Sequence, residues 1–170
     1  MAAYPGGEVG FGVAAVLTHA AIGFTLGSVL FDRPLAGTLG GVVADVDQLF
    51  PAFFGPPFVH RGITHSALAA GIAVAVVARR DRRAAGAVGV GYLSHLLVDA
   101  TTPKGIALAY PISTENVGVL LRAHSPTASV ALWLGCGLVM LLHRYDVGRE
   151  IRSRIRIVGD WVRRGARPPG

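Results

Sequence analysis

The chain has 170 residues, of which 52% are hydrophobic and 15% charged, with 23 glycines, one cysteine and a formal net charge of +6. So little charge on so apolar a chain excludes a disordered polymer and leaves too little polar surface for an ordinary soluble enzyme, where roughly 25% of residues are charged. Cys136 stands alone, so a disulfide scaffold is excluded as well, and a small single-domain membrane protein remains.

Val9 to Phe31 is 23 residues without Asp, Glu, Lys or Arg, long enough to cross about 30 Å of hydrocarbon. No Lys or Arg precedes Arg33, so the run lacks the basic start of a secretory signal and reads as a retained first span. Asp32-Arg33-Pro34 is a turn, with Pro34 at a helix start. A second apolar stretch runs from Pro34 to about Phe50, interrupted by Asp45 and Asp47 and stopped by Pro51. Residues 51–62 hold three prolines and two glycines and form a loop or re-entrant piece. Ile63 to Ala78 is the third stretch, and Ala84 to about Thr101, stopped by Pro103, is the fourth. Gly105 to Pro126 is too broken to span. Ala123 to His143 carries no charge and is the fifth span.

Gly23 and Gly27, and Gly37 and Gly41, are spaced four apart, which lets helix backbones approach closely in lipid. Beyond the spans, Ile151, Ile155, Val158 and Val162 recur at helical spacing among arginines and Trp161, the pattern of an amphipathic interfacial helix. The expected architecture is all-α: a polytopic membrane helix bundle of about five spans. Residues 1–143 form its transmembrane domain and residues 144–170 its basic tail.

From His143 to Gly170 eight arginines face three acids, so the charge of the chain lies almost wholly in the tail. A basic tail beside apolar spans suits anionic lipid; nucleic acid is not an expected partner. The short run Arg79-Arg80-Asp81-Arg82-Arg83 nets +3, and with five spans it falls on the same side as the tail. That side is cytoplasmic by the positive-inside rule, which puts the N-terminus outside and the protein in the plasma, or inner, membrane.

Ionisable groups within or at the ends of spans point by default to function. His19 lies within the first apolar run; Asp45 and Asp47 end the second; His60 and His65 bracket the start of the third; His95 and Asp99 end the fourth. Because the chain alternates direction, the last three pairs share one side of the membrane. Histidine and carboxylate are the N/O ligands of Zn²⁺ and similar ions. His95 and Asp99, four apart, project from one helix face and suit either one metal or a His–Asp hydrogen bond. Asp45 and Asp47 diverge by about 200° on an α-helix, so either the helix ends there or one is a ligand and the other an outer-sphere group or base. Arg61 sits between His60 and Gly62, placed to hold an anionic oxygen or to lie in water as a loop charge. Thr18, Thr64 and Ser94 each precede one of these histidines and either orient its ring or bond back to helix carbonyls. His124 is assigned to the outer loop, His143 to an interface anchor, and Trp133 and Met140 to packing.

Thr18-His19-(x)3-Gly23, Ala44-Asp45-Val46-Asp47, His60-Arg61-Gly62-Ile63-Thr64-His65-Ser66 and Gly91-Tyr92-Leu93-Ser94-His95-Leu96-Leu97-Val98-Asp99 follow in that order, leading into Thr102-Pro103-Lys104-Gly105 and Pro111. This series resembles the YdjM family, described as LexA-regulated, membrane-bound, predicted metal-dependent hydrolases. The chain departs from that pattern at Ala44, where the family has Pro, and at Gln48, where it has His. The resemblance implies a metal-dependent hydrolase.

The residues themselves favour His19, His65, His95 and Asp99 as ligands of a divalent ion, most readily Zn²⁺, with His60 and Asp45 as further ligands. Asp47 is expected as ligand or base, and Arg61 as the group steadying an anionic oxygen. The position near a membrane surface suggests an ester or phosphoester of a lipid or lipid-linked substrate. The alternative is a metal-binding or transport protein without hydrolysis. It is less favoured because the inner halves of the spans carry almost no polar residues, and transport needs access from both sides.

Overall fold

A computed structural model of the chain describes residues 4, 6–49, 55, 57, 59–119, 121, 123–145, 155, 156, 158 and 159. Five α-helices are present and no strand among the described residues: α1 (Gly7–Phe31), α2 (Pro34–Val42), α3 (Ala67–Ala78), α4 (Arg82–Ala100) and α5 (Pro126–Arg144). The chain divides into two compact units, residues 1–136 and 137–170, and the division falls inside α5. Of the amphipathic helix expected over 151–164, only residues 155, 156, 158 and 159 are described, and these are helical.

Local chemistry sets the helix ends. Asp32 closes α1 in the left-handed region at φ 57°, which a short polar side chain tolerates, and its N–H bonds back to the helix. Pro34 then opens α2 at its first position, where no N–H is needed. Ser66 caps α3 by accepting from the Ala69 amide, and Asp81 caps α4 by accepting from Arg83 and Ala84. The Arg33 guanidinium meets the Asp81 carboxylate at 3.1 Å, which brings the α1–α2 and α3–α4 turns to one end of the first unit.

Two helices, α1 with 25 residues and α5 with 19, are long and apolar enough to cross a membrane. The expected five spans are not all of that kind. The second apolar stretch is a nine-residue helix continued by a 3₁₀ segment, Val43–Leu49, and the third is a 12-residue helix, about 18 Å at 1.5 Å per residue. In α4 the length is sufficient, but Arg82, Arg83, His95 and Asp99 lower its apolarity.

Packing of α1, α2 and α4 rests on glycine. A Cβ on Gly37 would sit 2.7 Å from the Gly27 Cα and would overlap the Gly23 carbonyl oxygen; one on Gly91 would meet Gly37 and lie 2.9 Å from the Gly41 nitrogen. The glycine spacing noted in the sequence is therefore where three backbones touch. Ala44, Tyr92, Leu96 and Ile106 form a small apolar cluster beside them. Ile106 is supplied by the irregular segment 101–125, pinned by a two-bond bridge to Val117.

Burial is inverted relative to a soluble domain. Of the seven bulkiest fully buried side chains only Ile106 is apolar; the others are His19, His65, His95, Thr18, Ser66 and Ser129. Leucines and valines cover the outside, among them Leu35, Leu39, Leu30 and Val13. An apolar exterior around a polar interior is the arrangement a lipid solvent selects.

Candidate metal centre

The sequence pairs converge. His19 comes from the middle of α1, Asp45 and Asp47 from the 3₁₀ segment after α2, His60 and Arg61 from the loop before a short 3₁₀ turn, Ile63–His65, and His95 and Asp99 from the last turns of α4. Two triads have ligating atoms mutually within 4.8 Å: His19, His95 and Asp99, and Asp45, His60 and His65. They are contiguous, because His65 Nε2 and His95 Nε2 lie 3.1 Å apart.

That contact defines the chemistry. His95 Nδ1 is 2.7 Å from the Gly41 carbonyl oxygen, which can only accept, so Nδ1 carries the hydrogen and Nε2 a lone pair. His65 Nδ1 is 3.0 Å from Asp47 Oδ2, so it too donates from Nδ1 and turns a bare Nε2 inward. Two lone pairs aimed at each other across 3.1 Å repel unless a proton or a metal ion lies between them. The carboxylate oxygens converge on the same place: Asp45 Oδ1 is 3.7 Å from His65 Nε2 and 4.0 Å from His95 Nε2, and Asp99 Oδ2 is 3.5 Å from His65 Nε2. Bonds of about 2.0–2.1 Å to a tetrahedral ion give donor separations of about 3.3–3.4 Å, within the spread found here. The donor set therefore fits a metal ion.

Charge points the same way. Asp45, Asp47 and Asp99 are buried to within 11% exposure, and among the described residues the Arg61 guanidinium is the permanent cation in the cluster, paired with Asp99. Three carboxylates and one guanidinium leave two negative charges for a metal ion or protonated histidines to balance, since burying unbalanced charge is costly.

Asp45 and Asp47 divide their roles as their divergence on the segment requires. Asp45 faces the Nε2 side of His65 and Asp47 its Nδ1 side. Both Asp47 oxygens are committed: Oδ1 to His60 Nδ1 at 3.0 Å, and Oδ2 to the Thr64 hydroxyl at 2.7 Å, His65 Nδ1 at 3.0 Å and the Arg61 amide at 3.1 Å. An oxygen with three donors has no lone pair left for a metal or for a substrate proton. Asp47, expected as ligand or base, contacts His60 through Oδ1 and His65 through Oδ2, as outer-sphere carboxylates do, while Oδ1 with its single donor keeps a lone pair.

Arg61 is not a loop charge in water. Its Nη1 donates to Thr102 Oγ1 at 2.7 Å and to the Gly105 carbonyl at 2.9 Å, and its Nη2 meets Asp99 Oδ2 at 3.1 Å. Arg61 sits at φ 69°, a left-handed position uncommon outside glycine, with its backbone amide on Asp47 and its guanidinium on Asp99.

His124, assigned from sequence to the outer loop, belongs to the centre: its Nε2 lies 2.9 Å from Asp99 Oδ1, and it is 7% exposed. The topological argument that gathers the other pairs on one side places residue 124 there as well, and that was the available signal. His19 Nε2 approaches the same oxygen at 3.4 Å, and its ring stacks on His95 with centroids 3.8 Å apart. Trp133 is more than packing, since its Nε1–H donates to Thr18 Oγ1 at 3.1 Å. Of the three hydroxyls preceding a histidine, Thr18 and Ser94 bond back to the Ala14 and Gly91 carbonyls, and Thr64 alone reaches a site carboxylate. His143 is exposed near the end of α5.

The family model described as YdjM inner membrane protein matches residues 13–159, a stretch that contains every residue of the centre. Comparison with curated proteins and with solved structures finds no match.

Proposed function

The chain belongs to the YdjM inner membrane protein family, and from that premise we propose that it is a membrane-embedded metal-dependent hydrolase acting on an ester or phosphoester of a lipid or lipid-linked substrate. The observation that carries the metal is the pair of bare imidazole nitrogens 3.1 Å apart with two carboxylates directed at the same point. His65, His95, Asp45 and Asp99 are the inner ligands in this reading, with His19 and His60 completing the two triads, and Zn²⁺ is the ion their chemistry suits best. When bound, such an ion brings the pKa of a coordinated water toward neutrality and polarises the oxygen of the bond to be cleaved.

The protein's own groups prepare the site. Asp47 and the Gly41 carbonyl fix the tautomers of His65 and His95, so their Nε2 atoms are presented without a hydrogen. Arg61 is held by Asp99, Thr102 and Gly105 at the rim, near any anion that enters. We place the Arg79–Arg83 loop and the C-terminus on the cytoplasmic side and the N-terminus and the centre toward the other, with all five apolar segments within the membrane. A reporter fused after Gly170 should be active only in the cytoplasm.

The test of function is metal content and hydrolysis by the full chain in mild detergent, wild type beside His65→Ala and His95→Ala. About one or more divalent ions per chain, lost in both variants along with release of product from a labelled phospholipid, supports the reading. If the wild type takes up no zinc, manganese or iron on reconstitution, a shared proton bridges the two histidines and the hydrolase reading falls.

A further inference from the structure

A cavity of about 580 Å³ opens beside the centre, of the size that takes a small molecule. His60, Arg61 and His124 belong to both, and Thr102, Lys104, Tyr4 and Phe11 complete the part that matters here. Among the described residues its lining contains no Asp or Glu, although carboxylates dominate the adjoining metal centre. Lys104 is exposed and forms no ion pair among the described residues. Two buried polar atoms in the lining have no partner: Arg61 Nε, a donor, and His124 Nδ1. Buried polar atoms are ordinarily paired: Arg61 Nε calls for an acceptor such as an anionic oxygen, whereas His124 Nδ1, with the ring hydrogen on Nε2 toward Asp99, calls for a donor.

Part of the lining is aromatic and packs on His124, whose ring centroid is 5.9 Å from that of Phe11. Tyr4 and Phe11 pack edge to face with centroids 5.5 Å apart, and Tyr4 is anchored by its hydroxyl to Ser129 and the His124 carbonyl. Phe11 is 44% exposed and lies on the side of α1 away from Val9 and Val13, about 200° round the helix from each. The cavity thus sets exposed aromatic surface beside Arg61 and Lys104.

We propose that this cavity receives the phosphate-bearing head group of a membrane amphiphile, with Arg61 and Lys104 on the phosphate and Tyr4 and Phe11 against the start of its chain. The proposal narrows the substrate class of the hydrolase reading and rests on that reading for its purpose, but occupancy of the cavity does not require metal. A carboxylic ester would have no use for two cations and no acid in the wall. Charge-assisted contacts from arginine and lysine are the common solution for phosphate.

The test is binding to the full chain in dodecyl maltoside, chelator-treated and metal-loaded, followed by calorimetry. The probes are dihexanoyl phosphatidic acid, the neutral dihexanoylglycerol and inorganic phosphate. Phosphatidic acid should bind at least about tenfold more tightly than the neutral lipid, which corresponds to about 1.4 kcal/mol. Lys104→Ala should lose about that factor, and Lys104→Arg should restore it. Phe11→Ser should weaken the lipid and leave inorganic phosphate unchanged. Equal binding of charged and neutral lipid, or no effect of Lys104→Ala in a folded variant, overturns the proposal. Inorganic phosphate binding as tightly as the lipid, with Phe11→Ser silent on both, reduces the cavity to a free-anion site and overturns it too. If Lys104-dependent lipid binding persists but metal-loaded protein hydrolyses nothing, the hydrolase reading alone fails. If metal-dependent hydrolysis of a neutral ester occurs without phosphatidic acid binding, this inference alone fails.

Discussion

Replacing Asp47 with asparagine tests the centre where its logic is tightest. Oδ2 receives three donors, from Thr64, His65 and the Arg61 amide, whereas Oδ1 receives only His60 Nδ1. Asparagine keeps one oxygen and replaces the other with an NH2 group. Setting that group at the Oδ2 position would oppose three donors, so the side chain turns its oxygen there and its NH2 toward His60. His60 must then accept at Nδ1 and carry its hydrogen on Nε2, where it can no longer bind a metal. His65 keeps its tautomer and its inward lone pair. Loss of one outer-sphere carboxylate lowers metal affinity by about 10–100-fold, or about 1.4–2.7 kcal/mol. The signature lies in the coupling: His60→Ala should cost little further affinity in the Asp47→Asn background, because that histidine is already withdrawn, whereas His65→Ala should abolish binding in either background. Competition for Zn²⁺ against a chromophoric chelator in detergent measures each affinity, with circular dichroism confirming the fold. Wild-type affinity in Asp47→Asn, or strictly additive losses with His60→Ala, would refute the assignment of Asp47 as the orienting group.

Gly37→Ala places a methyl group 2.7 Å from the Gly27 Cα, a backbone atom that cannot yield, and should cost about 1–3 kcal/mol or more in thermal unfolding. Gly41→Ala meets the His19 backbone and also displaces the carbonyl that fixes His95, so it should lose more metal affinity than Gly37→Ala at equal loss of stability; losses that merely track stability would count against that link. His124→Ala removes the 2.9 Å contact to Asp99 and should weaken Zn²⁺ retention by about tenfold, and an unchanged affinity would return His124 to the outer loop. Asp81 is held below the ordinary carboxylate value of 3.8 by the Ala84 amide first and by Arg33 next, so the stability it adds is complete above about pH 4 and fades as pH falls through its lower folded value. Asp81→Asn keeps the capping oxygen without the charge, so its unfolding midpoint should fall less steeply than that of the wild type as pH drops below about 4.

The gathering of His/Asp pairs was legible because it depends only on alternating chain direction and on which end of each apolar run carries polar residues. The glycine contacts were legible for a similar reason, since a spacing of four repeats on one helix face. Other features depend on distances that local sequence does not encode. Thr18, Thr64 and Ser94 look alike in sequence, and only the approach of Asp47 separates Thr64 from the two that bond back. The roles of Asp45 and Asp47 follow from the ring of His65 standing between them, a contact about 20 residues distant in the chain. Two of the five expected crossings, α1 and α5, are helices long and apolar enough to span; apolar runs in the sequence do not show that α2 gives way to a 3₁₀ segment at Val43 or that α3 starts only at Ala67. His124 escaped because a histidine beside a span end has an ordinary role at the interface, and its partner Asp99 is 25 residues away.

The early end of α2 is what builds the centre. A helix continued past Val42 would use the Gly41 carbonyl for its own hydrogen-bond ladder; instead that oxygen accepts from His95 at 2.7 Å. The glycine contacts bring the oxygen within reach, since Gly41 lies against the His19 backbone on one side and Gly91, one turn before His95, against Gly37 and Gly41 on the other. A larger residue at these positions would separate the helices and leave the imidazole free to choose its tautomer. The change to 3₁₀ at Val43 then points Asp45 and Asp47 to opposite edges of His65. Small residues, unused carbonyl and paired carboxylates therefore form one device, in which backbone proximity decides which nitrogen of each histidine carries the hydrogen and hence whether a cation can be held between them.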